Sequence, residues 1–554
     1  MKNEKTKKSI FESPLFRTKI KSANVKFPEV VLGYLIGPLG GLLAGGIFGA
    51  VLNNYWTDIL FAGVKTQEIT TFLTILPLLS AILIVAGNLI AGQIIERTRT
   101  KAGKARPWIL LSSILLTVAC ILMFIMPAGA DPAVTMVVTG ISYNLYYAVA
   151  YPLYNAANST LIPVSTRNSS QRGLLASVSN VATLGVMGAG TMIFPALAGL
   201  IIYPNGQPAM LIAFIAVGVV TFLATVLQYF FTRERVTEET FAMPVEKNKV
   251  SMGQQLKAVV KDKFWWVVII TYLIFQFAGG LKNASMIFYC KQVIDNSFWG
   301  AGEGGWGLTQ TLLGVLGAIP MAIAMAFIWP LSNKVTKRWV VLVGLAVAIG
   351  GGIIAAVTTN VVVVSIGIAL RCFGEAPICY MILAMFADVL DHVEAKNGFR
   401  PDGFTMSIYS AIMVAAPPVM TGLFNLMTNT GDNTEMVAFS FTWFQVIAYG
   451  VCVALLFLFG VEKGLSKDRE TIKLNQKAAV EAAGGVWEDP EEKLKREEAE
   501  AAASAEEARK EELKALCEKK GLSYEEEEAK YQAMLAEKEA KKKAKQEAKE
   551  AKKK

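Results

Sequence analysis

Twelve stretches of this 554-residue chain are predominantly apolar, each over about 20 residues or more, the length that an α-helix needs to cross the hydrocarbon core of a bilayer. Because a segment surrounded by lipid has to satisfy its backbone hydrogen bonds internally, such runs predict helices. The mean hydropathy of +0.42 and the charged fraction of 18% indicate a protein that is mostly embedded. We therefore predict an all-α membrane protein. Its predicted spans are 30–52, 72–95, 108–127, 134–160, 174–202, 208–232, 264–290, 309–330, 338–358, 361–387, 404–428 and 436–461.

The basic residues of the predicted loops fall almost entirely on one side of the membrane. The loops assigned to the other side hold only Lys65 and Lys291. Since cytoplasmic loops carry the excess of Lys and Arg, both termini are expected in the cytoplasm, in a multi-pass protein of the plasma (inner) membrane. The net charge of +9 then follows from topology, and no nucleic-acid partner is expected.

Composition divides the chain into five segments. A basic amino-terminal segment (1–28) precedes two six-helix bundles (29–232 and 264–462), which a polar cytoplasmic linker (233–263) separates. Corresponding basic loops precede the third and the ninth spans, as is typical of parallel repeats in transporters. The remaining tail (463–554) is rich in Ala, Glu and Lys, and its sparse apolar residues predict a charged helical or disordered cytoplasmic segment.

The chain offers few residue patterns that are typical of a catalytic site. Five of the six cysteines lie inside apolar runs, and no cysteine, histidine or acid spacing is typical of a metal site. No pairing of a nucleophile with a base is visible either. The sequence therefore predicts neither an enzyme nor a bound cofactor or metal.

Two charged segments at the ends of predicted helices carry the most specific motifs. They are GQIIERTRTKAGKARPWILL, which begins at Gly92, and MFADVLDHVEAKNGFRPDG, which begins at Met385. Both resemble the corresponding segments of the glycoside-pentoside-hexuronide:cation symporters, the family of the melibiose permease. The resemblance covers roughly residues 29–462. It implies the major facilitator fold, with twelve transmembrane helices in two six-helix bundles, and alternating-access transport of a sugar, glycoside or hexuronide.

The first of these segments keeps the residues that hinge and gate in that family. They correspond here to Gly92, Glu96, Arg97 and Arg106. Glu96 is expected to pair with the loop arginines or to face a helix N-terminus in the other half. The machinery for alternating access is therefore expected to be retained.

The coupling residues are where the chain departs from the family. Family members carry carboxylates on the second helix at positions matched here by Asn88 and Ile84, and the fourth-helix aspartate of the melibiose permease aligns with Asn155. An amide offers one oxygen to a cation, as Asn88 still could, but it brings no charge and exchanges no proton near neutral pH. Coupling to protons is therefore favoured over coupling to sodium.

The fourth predicted span has one polar face. Asn144, Tyr147, Tyr151, Asn155 and Asn158 follow one another at steps of three and four residues, so they share a side of the helix. Amides match the hydroxyl groups of a solute, and a tyrosine ring can lie against the apolar face of a sugar. This pattern predicts a substrate-binding surface. An interhelical hydrogen-bond seam is the alternative.

Three charges lie inside predicted spans of the second half: Lys282, Arg371 and Glu375. Each costs about 2.5 to 3.5 kcal/mol to insert unless it is paired or hydrated. Arg371 and Glu375 are four residues apart and can pair, which would leave Lys282 unmatched. One interpretation is that Lys282 or Arg371 receives an anionic group of the substrate, and another is that Glu375 is the protonatable coupling residue. A purely structural ion network is the alternative.

A second set of charges lies at the predicted cytoplasmic ends. Asp388 and Asp391, three residues apart at the end of the tenth span, are expected to meet Arg167 or Arg172 when the cytoplasmic mouth closes. Ion pairs that form in one state and break in the other bias a rocking equilibrium.

The function predicted from these features is secondary active transport of a small hydrophilic solute, most simply a carbohydrate. The expected partners are the solute, a co-transported proton or, second to it, a sodium ion, and the lipid bilayer, and the protein is expected to be a monomer. Two alternatives remain open at this point. One is a sensor or interaction protein that has kept the fold and signals through its charged tail, and the other is an uncoupled facilitator.

Overall fold

The protein is built from helices. The computed structural model describes residues 17–22, 24–62, 66–98, 100, 102–166, 168–240, 252–300, 305–332, 335–429, 431–482, 487 and 490–551. Within these ranges the only β-structure consists of two isolated bridges, Thr100 with Gly103 and Asp295 with Asn360. Ten helices of the described chain are long and apolar enough to cross a membrane, and one further apolar helix is shorter.

The first half contains six helical segments in the order that the apolar runs predict. The fifth is assembled from several short pieces, and Gly206, with φ of 69°, marks the turn into the sixth. The segments are α1 (Glu29–Leu60), α2 (Gln67–Arg97), α3 (Arg106–Leu122), α4 (Pro132–Ser165), α5 (Ser169–Gly188, Ala189–Ile193, Phe194–Leu197 and Ala198–Ile202) and α6 (Gly206–Phe230).

The second half repeats this arrangement, and three further helices form the tail. Two short helices, Arg235–Thr240 and Met252–Val260, lie between the halves. The second half comprises α7 (Lys263–Gln292), α8 (Gly305–Ser332), α9 (Lys337–Ala356), α10 (Val361–Asn397), α11 (Asp402–Thr428) and α12 (Thr434–Phe441 and Trp443–Phe457). The tail helices are α13 (Leu465–Ala482), α14 (Pro490–Lys520) and α15 (Tyr524–Ala551).

Several predicted boundaries were wrong; the first helix, predicted to end at residue 52, continues to Leu60, and the fourth, predicted to end at residue 160, continues to Ser165. The third span, predicted to reach residue 127, ends as a helix at Leu122, ahead of Pro127. The tenth, predicted to end at 387, continues for ten more residues to Asn397 and is capped by Gly398 at φ of 72°. The acids that follow residue 387 therefore lie on the last turns of a helix and not in a loop.

The two halves contact each other through three helix pairs, which are α2 with α11, α1 with α7, and α5 with α8. We call the end of the bundle that carries Arg106, Asp388 and the tail the basic end. The end that carries Asp58, Lys291 and Asn425 is called the opposite end. These names describe position only and imply no side of the membrane.

Glycines of α1 allow neighbouring helices to approach it closely. A Cβ atom on Gly37 would lie 2.6 Å from the side chain of Gln228 in α6, and one on Gly41 would lie 2.2 Å from the ring of Tyr154 in α4. Membrane helices associate without a hydrophobic driving force, and small residues of this kind let their backbones pack closely. The glycine stripe of the first helix is therefore mainly a packing surface, although Gly49 faces open space.

At the basic end, one buried carboxylate joins the start of α3 to the end of α6. The Glu234 carboxylate accepts hydrogen bonds from the backbone N–H groups of Lys104, Ala105 and Arg106, at 2.7, 2.9 and 2.9 Å. These N–H groups begin α3 and have no partner within the helix. Gly103 has φ of 121°, and a Cβ there would lie 2.3 Å from the same carboxylate. Only glycine fits this turn.

We expect Glu234→Ala to destabilise the protein, because it leaves two buried N–H donors and one partly buried N–H donor without their acceptor. The expected loss is about 2 kcal/mol, the scale of hydrogen bonds to a charged group. The apparent midpoint of thermal unfolding in detergent should fall by several degrees. Glu238→Ala is the matched control, since that acid forms an exposed pair with Arg233 and should change the midpoint little. Equal midpoints for the two variants would contradict this account.

Candidate substrate pathway and its gates

A lysine from the second half joins the two halves at the opposite end. Lys291 of α7 places its Nζ 2.5 Å from Oδ2 of Asp58 and 3.1 Å from Oδ1 of Asn54, both in α1. The same ammonium lies 4.6 Å from the ring centre of Tyr203 and 4.8 Å from that of Trp306. An ion pair flanked by two aromatic faces is stronger than an exposed one, because each ring adds a cation–π attraction.

Amides form a second junction at the opposite end. Asn53 of α1 and Asn425 of α11 exchange side-chain hydrogen bonds of 2.9 and 3.2 Å, and Asn425 also donates to the carbonyl of Leu73 in α2, at 2.7 Å. Beside it, a Cβ on Gly422 would lie 2.8 Å from the carbonyl of Thr74. The helices of the two halves are thus in backbone contact at this end.

The acids at the basic end pair within their own half. Asp388 accepts two hydrogen bonds from Nζ of Lys337, at 2.6 and 2.8 Å. Asp391 pairs with Arg400 and lies 3.3 Å from Nε of Arg469 in the tail. Arg172, the expected partner from the first half, is exposed and takes part in none of these pairs. Arg167, the other expected partner, lies outside the described residues.

The motif residues of the first half separate into two groups. Gly92, Glu96 and Arg97 are exposed along the basic end of α2. Arg106 is only 2% exposed and donates to the carbonyls of Ala102 and Tyr229. Glu234, which the sequence analysis did not single out, is the acid that meets a helix N-terminus here. It lies just after the sixth apolar run, and no local pattern distinguishes it from its neighbours.

The three embedded charges come together in the second half. Glu375 of α10 lies 3.4 Å from Nε of Arg371 on the same helix, and its other carboxylate oxygen lies 3.9 Å from Nζ of Lys282 on α7. Arg371 also donates to the carbonyl of Phe441, at 3.2 Å. The side chain of Lys282 is 21% exposed, whereas those of Arg371 and Glu375 are 1% and 7% exposed. Lys282 is therefore the accessible member of the cluster.

This cluster differs from the predicted one in two respects. The sequence analysis paired Glu375 with Arg371 alone, whereas the carboxylate lies near both cations, 3.4 Å from Arg371 and 3.9 Å from Lys282. The sequence analysis also missed Tyr449 of α12, whose hydroxyl donates to Glu375 at 2.8 Å and accepts from Gln445 at 3.2 Å. One buried carboxylate thus faces two cations and one phenol, and the cluster keeps a formal charge of +1.

The polar face of α4 divides into a tyrosine-rich part and a hydrogen-bonded part. Tyr147 packs among Phe48, Tyr143 and Tyr146, at ring-centre distances of 4.7 to 6.3 Å. Tyr151 is half-buried, and its ring lies 6.1 Å from that of Tyr146. The helix widens into a π-helical segment over Leu145–Ala150, directly before Pro152, as occurs where a proline interrupts the regular hydrogen bonds.

The amides of the same face have different surroundings. Asn158 is buried and accepts from Gln228 of α6 at 2.7 Å, and Gln228 in turn accepts from Tyr154 at 2.8 Å. This part is an interhelical hydrogen-bond seam. Asn155 is half-buried with no side-chain hydrogen bond within the described chain. The amide nitrogen of Asn144 donates to its own helix, but its buried oxygen has no partner among the described residues.

Asn88, which occupies the place of a family coupling acid, is half-buried on α2. Its amide nitrogen donates to the carbonyl of Ile84, one turn earlier, at 2.8 Å. The adjacent Gly87 packs so tightly that a Cβ would lie 1.9 Å from the carbonyl of Ala148 in α4. Asn88 therefore borders the contact of α2 with α4, and none of the three embedded charges is among its contacts.

Comparison with known proteins decides the family. A family model described as MFS/sugar transport protein matches residues 33–461. The chain belongs to this family. The similarity to the glycoside-pentoside-hexuronide:cation symporters is thereby confirmed, and the protein is a membrane transporter and not an enzyme. The observed helix order, the two halves and the contacts between them are those of a major facilitator transporter.

Relatives of the transporter include proteins named for sugars and glycosides. It is 23% identical over 411 residues to the isoprimeverose transporter of Lactiplantibacillus pentosus, with 71% of this chain and 81% of that protein covered. It is 21% identical over 427 residues to the glucuronide carrier protein homolog of Escherichia coli, with 74% and 86% covered. The solved xylose transporter of E. coli shares its fold, with a TM-score of 0.54, 14% identity, and 78% and 98% covered.

We expect Lys291→Met to open the opposite end of the transporter, because it removes the ion pair and both cation–π contacts. Spin labels on Ala128, before α4, and on Glu435, in α12, report this opening as a longer distance between the halves. Lys291→Arg keeps the charge and is the control. A distance distribution unchanged by Lys291→Met would show that the Lys291 contacts are not needed to keep the halves together at this end.

Proposed function

We propose that the protein moves a sugar, glycoside or hexuronide across the plasma membrane by alternating access. In this proposal the chain crosses the bilayer twelve times, with both termini and the basic end in the cytoplasm. The excess of Lys and Arg at the basic end supports that orientation. With that orientation, the contacts between the halves at the opposite end, and the acids that pair within their own half at the basic end, support assignment to a state open to the cytoplasm.

The observation that carries the substrate proposal is the cluster of Lys282, Arg371 and Glu375. Two cations around one carboxylate leave a positive charge, and Lys282 is its accessible member. A substrate carboxylate is the natural complement to that charge. The glucuronide carrier among the relatives is named for a solute with such a group. Tyr147, Tyr151 and the amides Asn144 and Asn155 of α4 would contact the sugar ring and its hydroxyls.

Coupling to protons follows from the same three side chains. In the absence of substrate, Lys282 and Arg371 both lie beside the carboxylate of Glu375. When an anionic substrate draws Lys282 away, Glu375 loses one of its two cations, and a proton taken up by the carboxylate replaces the positive charge that has left. Substrate binding and proton binding then favour each other by linkage. Asn88 remains available to contribute an amide oxygen on the second helix.

We expect Lys282→Gln to weaken binding of a carboxylated sugar by about tenfold to a hundredfold, the loss of one charge-assisted contact of about 1.5 to 3 kcal/mol. The affinity for the neutral glycoside of the same sugar should change much less. Both affinities are measured from the stabilisation that each sugar gives to the purified transporter. Lys282→Arg, which keeps the charge, is the control. Equal losses for the acidic and the neutral sugar would argue against an anion site.

We expect Glu375→Gln to abolish uphill accumulation in proteoliposomes and to leave substrate exchange intact, because an amide cannot carry a proton. Glu435→Gln, at an exposed acid of the opposite end, is the control and should accumulate substrate normally. Imposed pH and sodium gradients identify the driving ion. Accumulation that follows the sodium gradient and ignores the pH gradient would reject proton coupling.

A further inference from the structure

The first tail helix lies against the end of α10. Arg469 of α13 is 3.3 Å from Asp391 and 3.7 Å from Asp388. One residue earlier, the carboxylate of Asp468 lies 2.7 Å from Nδ1 of His392. Two successive residues of α13 thus contact α10, Arg469 through ion pairs and Asp468 through a hydrogen-bond contact with the His392 ring. The tail helix occupies the same acids that the closing basic end is proposed to use.

The second tail helix reaches the other half of the transporter. Glu512 of α14 lies 2.7 Å from Nζ of Lys26, and the carbonyl of Ala505 accepts from the side-chain amide of Asn24 at 2.6 Å. Both partners precede α1. Asn24 is itself tied to the first half, because its side-chain oxygen accepts from Gln171 near the start of α5 at 2.9 Å. The tail therefore contacts both halves at the basic end.

The distal tail is folded back on itself as a helical hairpin. Arg509 of α14 pairs with Glu506 and reaches Glu528 of α15 at 2.8 Å, while its guanidinium lies 4.0 Å over the ring of Tyr531. Hydrogen bonds from Gln532 and Arg509 lower the pKa of Glu528 below its ordinary value, so the carboxylate stays charged well below neutral pH. These contacts join α15 to α14.

We propose that the tail is an autoinhibitory strap across the basic end. The proposal rests on the alternating-access function proposed above. To close the basic end, the two halves approach each other and the acids of α10 turn to basic residues of the first half. Arg469 competes for those acids, and α13 and α14 hold both rims at the spacing of the open state. The docked tail thus favours the open basic end and slows the transport cycle.

The strap is tested by comparing the full-length transporter with a transporter that lacks residues 465–554, each reconstituted in proteoliposomes. The initial uptake rate should rise about two- to fivefold on deletion, the size expected from losing a few exposed ion pairs. Arg469→Gln should give part of this rise in the full-length chain. Lys467→Gln is the matched control, because Lys467 carries the same charge on the same helix and is exposed. The proposal is overturned if deletion of the tail leaves uptake unchanged or abolishes it, and if Arg469→Gln gives the same uptake rate as the control Lys467→Gln.

A second measurement needs no transported solute and separates this proposal from the function on which it rests. Spin labels replace Gly173 of α5, where a Cβ meets nothing within 4 Å, and the exposed Val335 before α9. Deletion of the tail, or Arg469→Gln, should shift their distance distribution towards shorter values as the basic end closes more often. A distribution that stays the same in both variants overturns the strap. A shift without any uptake supports the strap and counts against the proposed transport.

Discussion

The structure depends on the pairing of charged side chains that lie inside the helical bundle. Arg371, Glu375 and Lys282 would each cost about 2.5 to 3.5 kcal/mol if left unpaired at membrane depth. Their pairing, and the hydrogen bond from Tyr449, require α7, α10 and α12 to meet at one place. Because the carboxylate serves both cations, a ligand that binds one of them alters the surroundings of the others. The same contacts thus hold the second half together and, in the proposed function, make it responsive to a solute.

The two ends of the molecule use the same ionic chemistry with different connectivity. At the opposite end, Lys291 and Asp58 belong to different halves, so their ion pair opposes separation of the halves. At the basic end, Lys337 and Asp388 belong to the same half, so their ion pair leaves the halves free to move apart. A rocking transporter needs this asymmetry, since each state is stabilised by contacts that the other state lacks.

The tail gives the basic end a set of contacts that the family's shared helices do not include. The family model ends at residue 461, and the tail helices begin at Leu465. Their charges lie close to the membrane-proximal acids, and His392, a residue with no evident role in the sequence, lies between Asp468 and Asp262. Exposed ion pairs are individually weak, so a strap made of several can be displaced while still shifting a balanced equilibrium.

The sequence by itself determined the helical membrane fold, the order of the helices and the family. These properties rest on the length of apolar runs, the placement of basic residues and motifs such as the one from Gly92 to Trp108, all of which are local along the chain. It also identified Lys282, Arg371 and Glu375, since a charge inside an apolar run is conspicuous. Only the tertiary structure decided which partners these residues have. Tyr449, Glu234, the Lys291 pair and the docking of the tail join residues far apart in the chain, and no local pattern encodes which distant helix faces meet.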